Sequence, residues 1–116
     1  MTFEEWTKIH DEKAKKHSPT DVYHEEAGEI FFDEDNGFIR FVYNQDEKRL
    51  YLTEIVGNYY FWEPRYLWVA RMKGATKVVG FSSMKNPKVI ERLFKAKIEK
   101  EIPQEGGILY QFVREV

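Results

Sequence analysis

At 116 residues, 42% of them hydrophobic, the chain has the size and apolar content of one domain able to build a core unaided. It contains no cysteine, which excludes disulfide scaffolds, thiol nucleophiles and thiolate-held metals. Lys+Arg number 18 against 20 Asp+Glu, a net charge of -2, so the basic footprint of a general nucleic-acid binder is missing, and no apolar run approaches the roughly 18 residues of a membrane span. The expectation is a cytoplasmic protein whose partners include neither nucleic acid nor membrane. The unusual figure is 16% aromatic residues: either the core is very aromatic or some of the rings face a ligand or a partner.

The chain opens with a capping box, Thr2-Phe3-Glu4-Glu5, followed by apolar Phe3, Trp6 and Ile9 at helical spacing. This predicts a helix that fades near His17, because Ser18-Pro19 opposes its continuation, with a polar loop over 18–27. His10, His17 and His24 recur every seven residues, a spacing too wide for one metal, and read as a solvated face. Residues 29–32 predict a strand. Asp33-Glu34-Asp35-Asn36-Gly37 reads as a hairpin turn; as a calcium loop it lacks the sixth-place glycine and the twelfth-place acid. No metal site is expected. Residues 38–43 and 50–56 predict two more strands, separated by the polar turn 44–48.

Residues 59–68 hold six aromatics in ten positions. Pro64 suits the first turn of a helix, Arg71 and Lys73 its last, and Gly74 the place just beyond it. A strand over 76–81 follows. Asn86-Pro87 opens another helix, whose apolar face runs through Val89, Ile90, Leu93, Phe94 and Ile98, closed by Pro103 and Gly106-Gly107. Residues 108–113 predict the last strand. The order α-β-β-β-α-β-α-β contains a βαβ crossover. It predicts an α+β (α/β) fold: a mixed, mostly antiparallel sheet of about five strands flanked by three helices, in a single domain over 1–116.

The run from Leu50 to Lys95 resembles the core of the GNAT superfamily of N-acetyltransferases. It is carried by Leu50-Tyr51-Leu52-Thr53-Glu54-Ile55-Val56, the helix ending at Gly74, Thr76-Lys77-Val78-Val79-Gly80-Phe81-Ser82-Ser83, and Asn86-Pro87-Lys88-Val89-Ile90-Glu91-Arg92-Leu93-Phe94-Lys95. In length and style the chain is similar to minimal GNAT-like proteins encoded by bacteriophages. The resemblance implies a trimmed GNAT-like fold and acetyl-CoA as cofactor, bound where the central parallel strands splay. It implies transfer of an acyl group to an amine. Family members hold the pyrophosphate on a Q/R-x-x-G-x-G/A turn. This chain reads Val56-Gly57-Asn58-Tyr59-Tyr60-Phe61-Trp62-Glu63-Pro64-Arg65 there, a degenerate version with Glu63 near the expected anion.

By that resemblance Glu54 is the candidate general base, on a strand face shared with Leu50, Leu52 and Val56, and Tyr110 the candidate general acid. Cofactor contacts fall to Val56, Asn58 and Tyr59 at the strand–helix turn, to Arg65, and to Ser82 and Asn86 after the next strand. Each has a plainer reading: Glu54 as a partner of Arg40, Asn86 as a helix cap, Ser82 as a turn residue, Tyr110 as packing. The aromatic run from Tyr59 to Trp68 supports an alternative to catalysis, in which a non-catalytic accessory domain meets a second copy or another protein through that surface.

Overall fold

The computed structural model describes residues 1–9 and 28–116. The expected fade of the first helix, the loop after it and the three histidines lie outside the described residues. Residues 3–9 form helix α1. The Thr2 hydroxyl accepts from the Glu5 amide at 3.1 Å, and the Glu5 carboxylate accepts from the Thr2 amide at 3.0 Å, so the capping box closes in both directions.

Three strands follow, β1 (Glu29–Asp33), β2 (Gly37–Asn44) and β3 (Arg49–Gly57). They make an antiparallel meander. Helix α2 (Tyr59–Lys73) crosses to β4 (Lys77–Ser82), which pairs parallel to β3. Helix α3 (Pro87–Phe94) leads to the hairpin β5 (Lys97–Gln104) and β6 (Gly107–Glu115). The sheet order is β1-β2-β3-β4-β6-β5, six strands in an open sheet.

Both crossovers put their helices on one face, where the Tyr59 ring of α2 meets the Phe94 ring of α3 edge-on at 5.0 Å. The core under α2 joins Ile39, Phe41, Leu50 and Leu52 to Trp62, Tyr66 and Val69. A smaller cluster under α3 joins Ile90 to Tyr110 and Phe112. On the opposite face α1 sets Phe3 against Phe38, with ring centroids 4.6 Å apart.

Two expectations are corrected. Helix α3 does not run on through Ile98: it stops at Phe94, Lys95 takes the left-handed conformation at φ 52°, and the next eight residues become β5, the sixth strand. Ile98 pairs with Phe112 and packs under α3, but the register shifts before Lys100 and Ile102 pairs with Leu109 on the opposite face, so the helical stripe ends at Phe94; Pro103 sits on an edge strand. Helix α2 starts at Tyr59, so Pro64 lies inside it. The Asn58 carbonyl takes the amides of Phe61 and Trp62 and starts the helix early. Pro64 then gives up one backbone bond on the exposed side.

Candidate active site

Strands β3 and β4 pair over three residues only: Arg49 with Lys77, Leu50 with Val78, Tyr51 with Val79. Beyond them the strands part and leave a cleft of about 130 Å³. Residues 52–55 of β3 form one wall and Gly80 and Phe81 of β4 the other, and the Phe94 and Phe112 rings close it. The β4 wall is tightly packed. Gly80 pairs with Phe112 across β4 and β6, and a Cβ on Gly80 would lie 2.4 Å from the Phe112 ring. Phe112 in turn stacks on Phe94 at 4.5 Å and 11°. An interior glycine is what lets a ring lie flat on the strand.

Glu54 lines this cleft and is only 4% exposed. Its Oε1 is 3.0 Å from Nε of Arg40, its cross-strand partner. A carboxylate this deeply buried requires such a countercharge. The expected face is corrected by a bulge. Arg40 pairs with Glu54 but Phe41 pairs with Leu52, which leaves Thr53 as the extra residue on β3. The Thr53 hydroxyl donates to the Arg40 carbonyl at 3.2 Å and fills the gap. Leu50 and Leu52 point to α2, and after the bulge Ile55 does. Glu54 and Val56 therefore turn to the opposite face, with Arg40 and Phe38, where α1 packs.

The β3–α2 connection is one residue, Asn58. Its amide donates to the Asn36 carbonyl at 3.0 Å and its side-chain amide to the Asn36 side chain at 3.2 Å. The Trp62 indole donates to the same carbonyl at 2.8 Å. Gly37 and Gly57, both at positive φ, lie back to back beneath this contact, where a Cβ on Gly57 would lie 2.2 Å from the Asn36 oxygen. The turn is thus tied to the β1–β2 hairpin. Among the described residues, the Phe61 and Trp62 amides are taken by the Asn58 carbonyl, which leaves those of Tyr59 and Tyr60 as the first-turn donors without an acceptor.

The other expected residues take up separate positions. Glu63 is not an obstacle at the helix start: it faces β6, where Arg114 binds it at 2.8 Å. Burial pushes the Glu63 carboxyl up, but the hydrogen bond and charge of Arg114 outweigh that and hold it below the usual range. The Tyr59 and Tyr66 hydroxyls are 2.7 Å apart, and Tyr66 accepts from Arg114 at 3.1 Å, which makes a four-residue network between α2 and β6. Burial raises the Tyr59 hydroxyl, and the Tyr66 bond raises it further. Arg65 folds back over the Phe61 ring at 3.5 Å. Asn86 caps α3, its side chain accepting from the Lys88 amide at 3.0 Å. Ser82 accepts from the Met84 amide at 3.2 Å. Tyr110 is buried beside Ile90 in the cluster under α3.

Of the expected residues, then, Glu54 is the one on the cleft wall; Val56 and Tyr59 do not line it, although the Tyr59 ring meets that of Phe94. Gly80, Phe81, Phe94 and Phe112 were missed. Only Gly80, a glycine inside an apolar strand, carried a readable signal.

No family model matches the sequence, and no curated relative does. A crystal structure of an acetyltransferase from Bacillus cereus is similar to this chain at a TM-score of 0.53. The match covers 94% of this chain and 90% of that one, at 10% sequence identity. With the splayed β3–β4 pair and the mixed sheet, this likeness makes the architecture a GNAT-like α+β fold.

Proposed function

We propose that the protein is an acyl-CoA-dependent N-acyltransferase, a one-domain cytoplasmic enzyme of the minimal, phage-type kind its sequence resembles. The observation that carries the reading is the β3–β4 cleft with a buried carboxylate on its wall. Such a slot between parting parallel strands suits an extended pantetheine arm, whose amides can pair with the strand edges left unmatched beyond Tyr51 and Val79. Acetyl-CoA, when bound, supplies an activated acyl thioester and leaves as the free thiol.

The chain's own part is to orient the amine and take its proton. Glu54 faces the α1 side, away from α2 and α3, and its carboxylate is buried, so an acceptor reaches it only through the cleft that it lines. Arg40 fixes the carboxylate at 3.0 Å and compensates its charge in the low-dielectric wall. The diphosphate end fits less well. Two first-turn amides and an Arg65 turned onto Phe61 stand where family members carry a glycine turn.

A thermal-unfolding titration with acetyl-CoA and CoA tests the reading. A ligand at a hundred times its dissociation constant adds about 2.7 kcal/mol, on the order of a 10 °C rise for a domain this size. A saturable rise with both ligands, followed by acyl transfer to an amine, is the expected result. No shift at millimolar ligand would overturn it. The single-residue β3–α2 connection favours the second reading in that case, a non-catalytic interaction domain that keeps the fold.

A further inference from the structure

The exposed side of α2 and the strand beside it form a surface that the cleft does not use. The aromatic run does not act as one patch. Trp62 and Tyr66 are core residues, each 2% exposed, whereas Tyr60, Trp68 and Met72 face solvent. Helix α2 packs over β2, β3 and β4. It leaves β1 as a ledge beside it, one layer lower. On that ledge Phe31, which meets the Phe41 ring at 5.1 Å on the α2 side of the sheet, is 39% exposed. Trp68 and Met72, 58% and 68% exposed, rise from the flank above it.

The charges of this face are unevenly spread between its ends. Every exposed charge of α2 is positive: Arg65, whose charge reaches Asp33 of the acidic turn, and Arg71 and Lys73 in the final turn. Every charge from Glu29 to Asp35 is negative. The acidic turn Asp33–Asp35 sits by the start of α2, because Trp62 and Asn58 bind Asn36 there. Glu29 is already bound to Lys73 at 3.1 Å at the other end. One end of the ridge, three acids against Arg65, is therefore net acidic, and the other, two cations against Glu29, net basic, about 22 Å apart along a 15-residue helix.

We propose that two copies of the chain pair through this face about a two-fold axis, with antiparallel α2 helices. Each ridge then lies on the other copy's β1 ledge. Each Arg71 meets the partner copy's Glu34 and Asp35, and the helix dipoles oppose. Phe31, Trp68 and Met72 form the dry centre, the residue types that anchor such contacts. A two-fold contact demands a self-complementary face, and an acid-to-base gradient with an apolar middle meets that demand. An unrelated acidic or basic partner would match only half of it.

Sedimentation equilibrium on the full chain tests the pairing. The expected molar mass is twice the 13.9 kDa of one chain. Trp68→Glu and, separately, Met72→Lys should raise the dissociation constant about a hundredfold and leave the unfolding midpoint unchanged at concentrations low enough for the unsubstituted protein to be a single chain, since both side chains are exposed. Arg71→Glu alone should weaken pairing about tenfold, and adding Asp35→Lys should restore most of the loss. A single-chain mass at every concentration, or a dimer indifferent to all four substitutions, would overturn the proposal.

Discussion

Phe112 lies flat on Gly80, so close that a methyl group on the glycine would overlap the ring. Phe94 is stacked on the ring at 4.5 Å, so the cleft that Phe112 lines is the side left to retreat into. Gly80→Ala should therefore destabilise the protein by about 1–3 kcal/mol through overpacking. That is on the order of a 5–10 °C fall in midpoint. The same substitution should displace Phe112 into the cleft and abolish any acetyl-CoA shift. Pairing it with Phe112→Leu removes ring atoms at the clash, and the double variant should lose less than the sum of the singles. Calorimetry on the four proteins of this cycle is the check, and strict additivity would mean that the two residues do not determine each other.

The Arg40–Glu54 pair separates chemistry from stability. Glu54→Gln keeps the shape and loses the charge. Turnover should fall about a hundredfold while acetyl-CoA binding holds. The same change removes a carboxylate 3.0 Å from a buried guanidinium, and the folded state should lose about 3 kcal/mol. Arg40→Met with Glu54→Leu replaces the pair by apolar groups and should recover stability without recovering turnover. Initial rates and urea unfolding on the same samples decide this. A rate unchanged in Glu54→Gln would remove Glu54 as the base.

The network between α2 and β6 sets limits on pH stability. Glu63 and Glu99 are both held below their ordinary value of 4.5: for Glu63 the Arg114 bond and charge outweigh burial, and for Glu99 the Arg49 bond dominates. Carboxyls lowered in the folded state stabilise it above the unfolded value, and that stability is lost as pH falls below it. Tyr59 and Tyr66 are raised above their ordinary 10.0, chiefly by burial. Their contribution is complete below pH 10 and is lost as pH rises beyond it. The unfolding midpoint should thus be flat between about pH 5 and 10 and fall on both sides. Tyr59→Phe should cost about 1 kcal/mol at neutral pH and make the alkaline fall shallower. Thermal scans across pH test both limbs, and an alkaline limb identical in Tyr59→Phe would exclude this tyrosine as its source.

What the sequence disclosed was local chemistry. The Thr2–Glu5 box, the Asn86 cap and the Gly74 stop of α2 at φ 82° each depend on neighbours a few residues away, and each forms as read. The misreadings turn on distant partners. The orientation of Glu54 depends on a bulge defined by β2 rather than by its own strand. β5 exists because β6 pairs with it, through a register shift between Ile98 and Lys100 that no local spacing announces. The cleft closes with rings from α3 and β6, brought to β4 only by the sheet order. The Trp6 and Trp62 indoles, donating to the Glu34 and Asn36 carbonyls of one hairpin turn from opposite faces, are likewise a product of the fold.

The short β3–α2 connection makes a final prediction about the acyl donor. In a site that holds a diphosphate on a glycine turn, several amides and a helix end supply much of the affinity. Here the Asn58 amide is committed to Asn36, and Gly57 cannot take a side chain or move without breaking its contact with Gly37. On the proposed reading the diphosphate gains little, and the pantetheine arm in the cleft supplies most of the affinity. Acetyl-pantetheine should therefore bind within about tenfold of acetyl-CoA, a difference under about 1.4 kcal/mol. Because few phosphate contacts form, binding of acetyl-CoA should also depend weakly on ionic strength. Calorimetric titrations of both donors at low and high salt provide the test. An acetyl-CoA affinity a thousandfold higher and strongly salt-sensitive would mean that cations outside the cleft hold the diphosphate, and the β3–α2 turn would not be the determinant argued for.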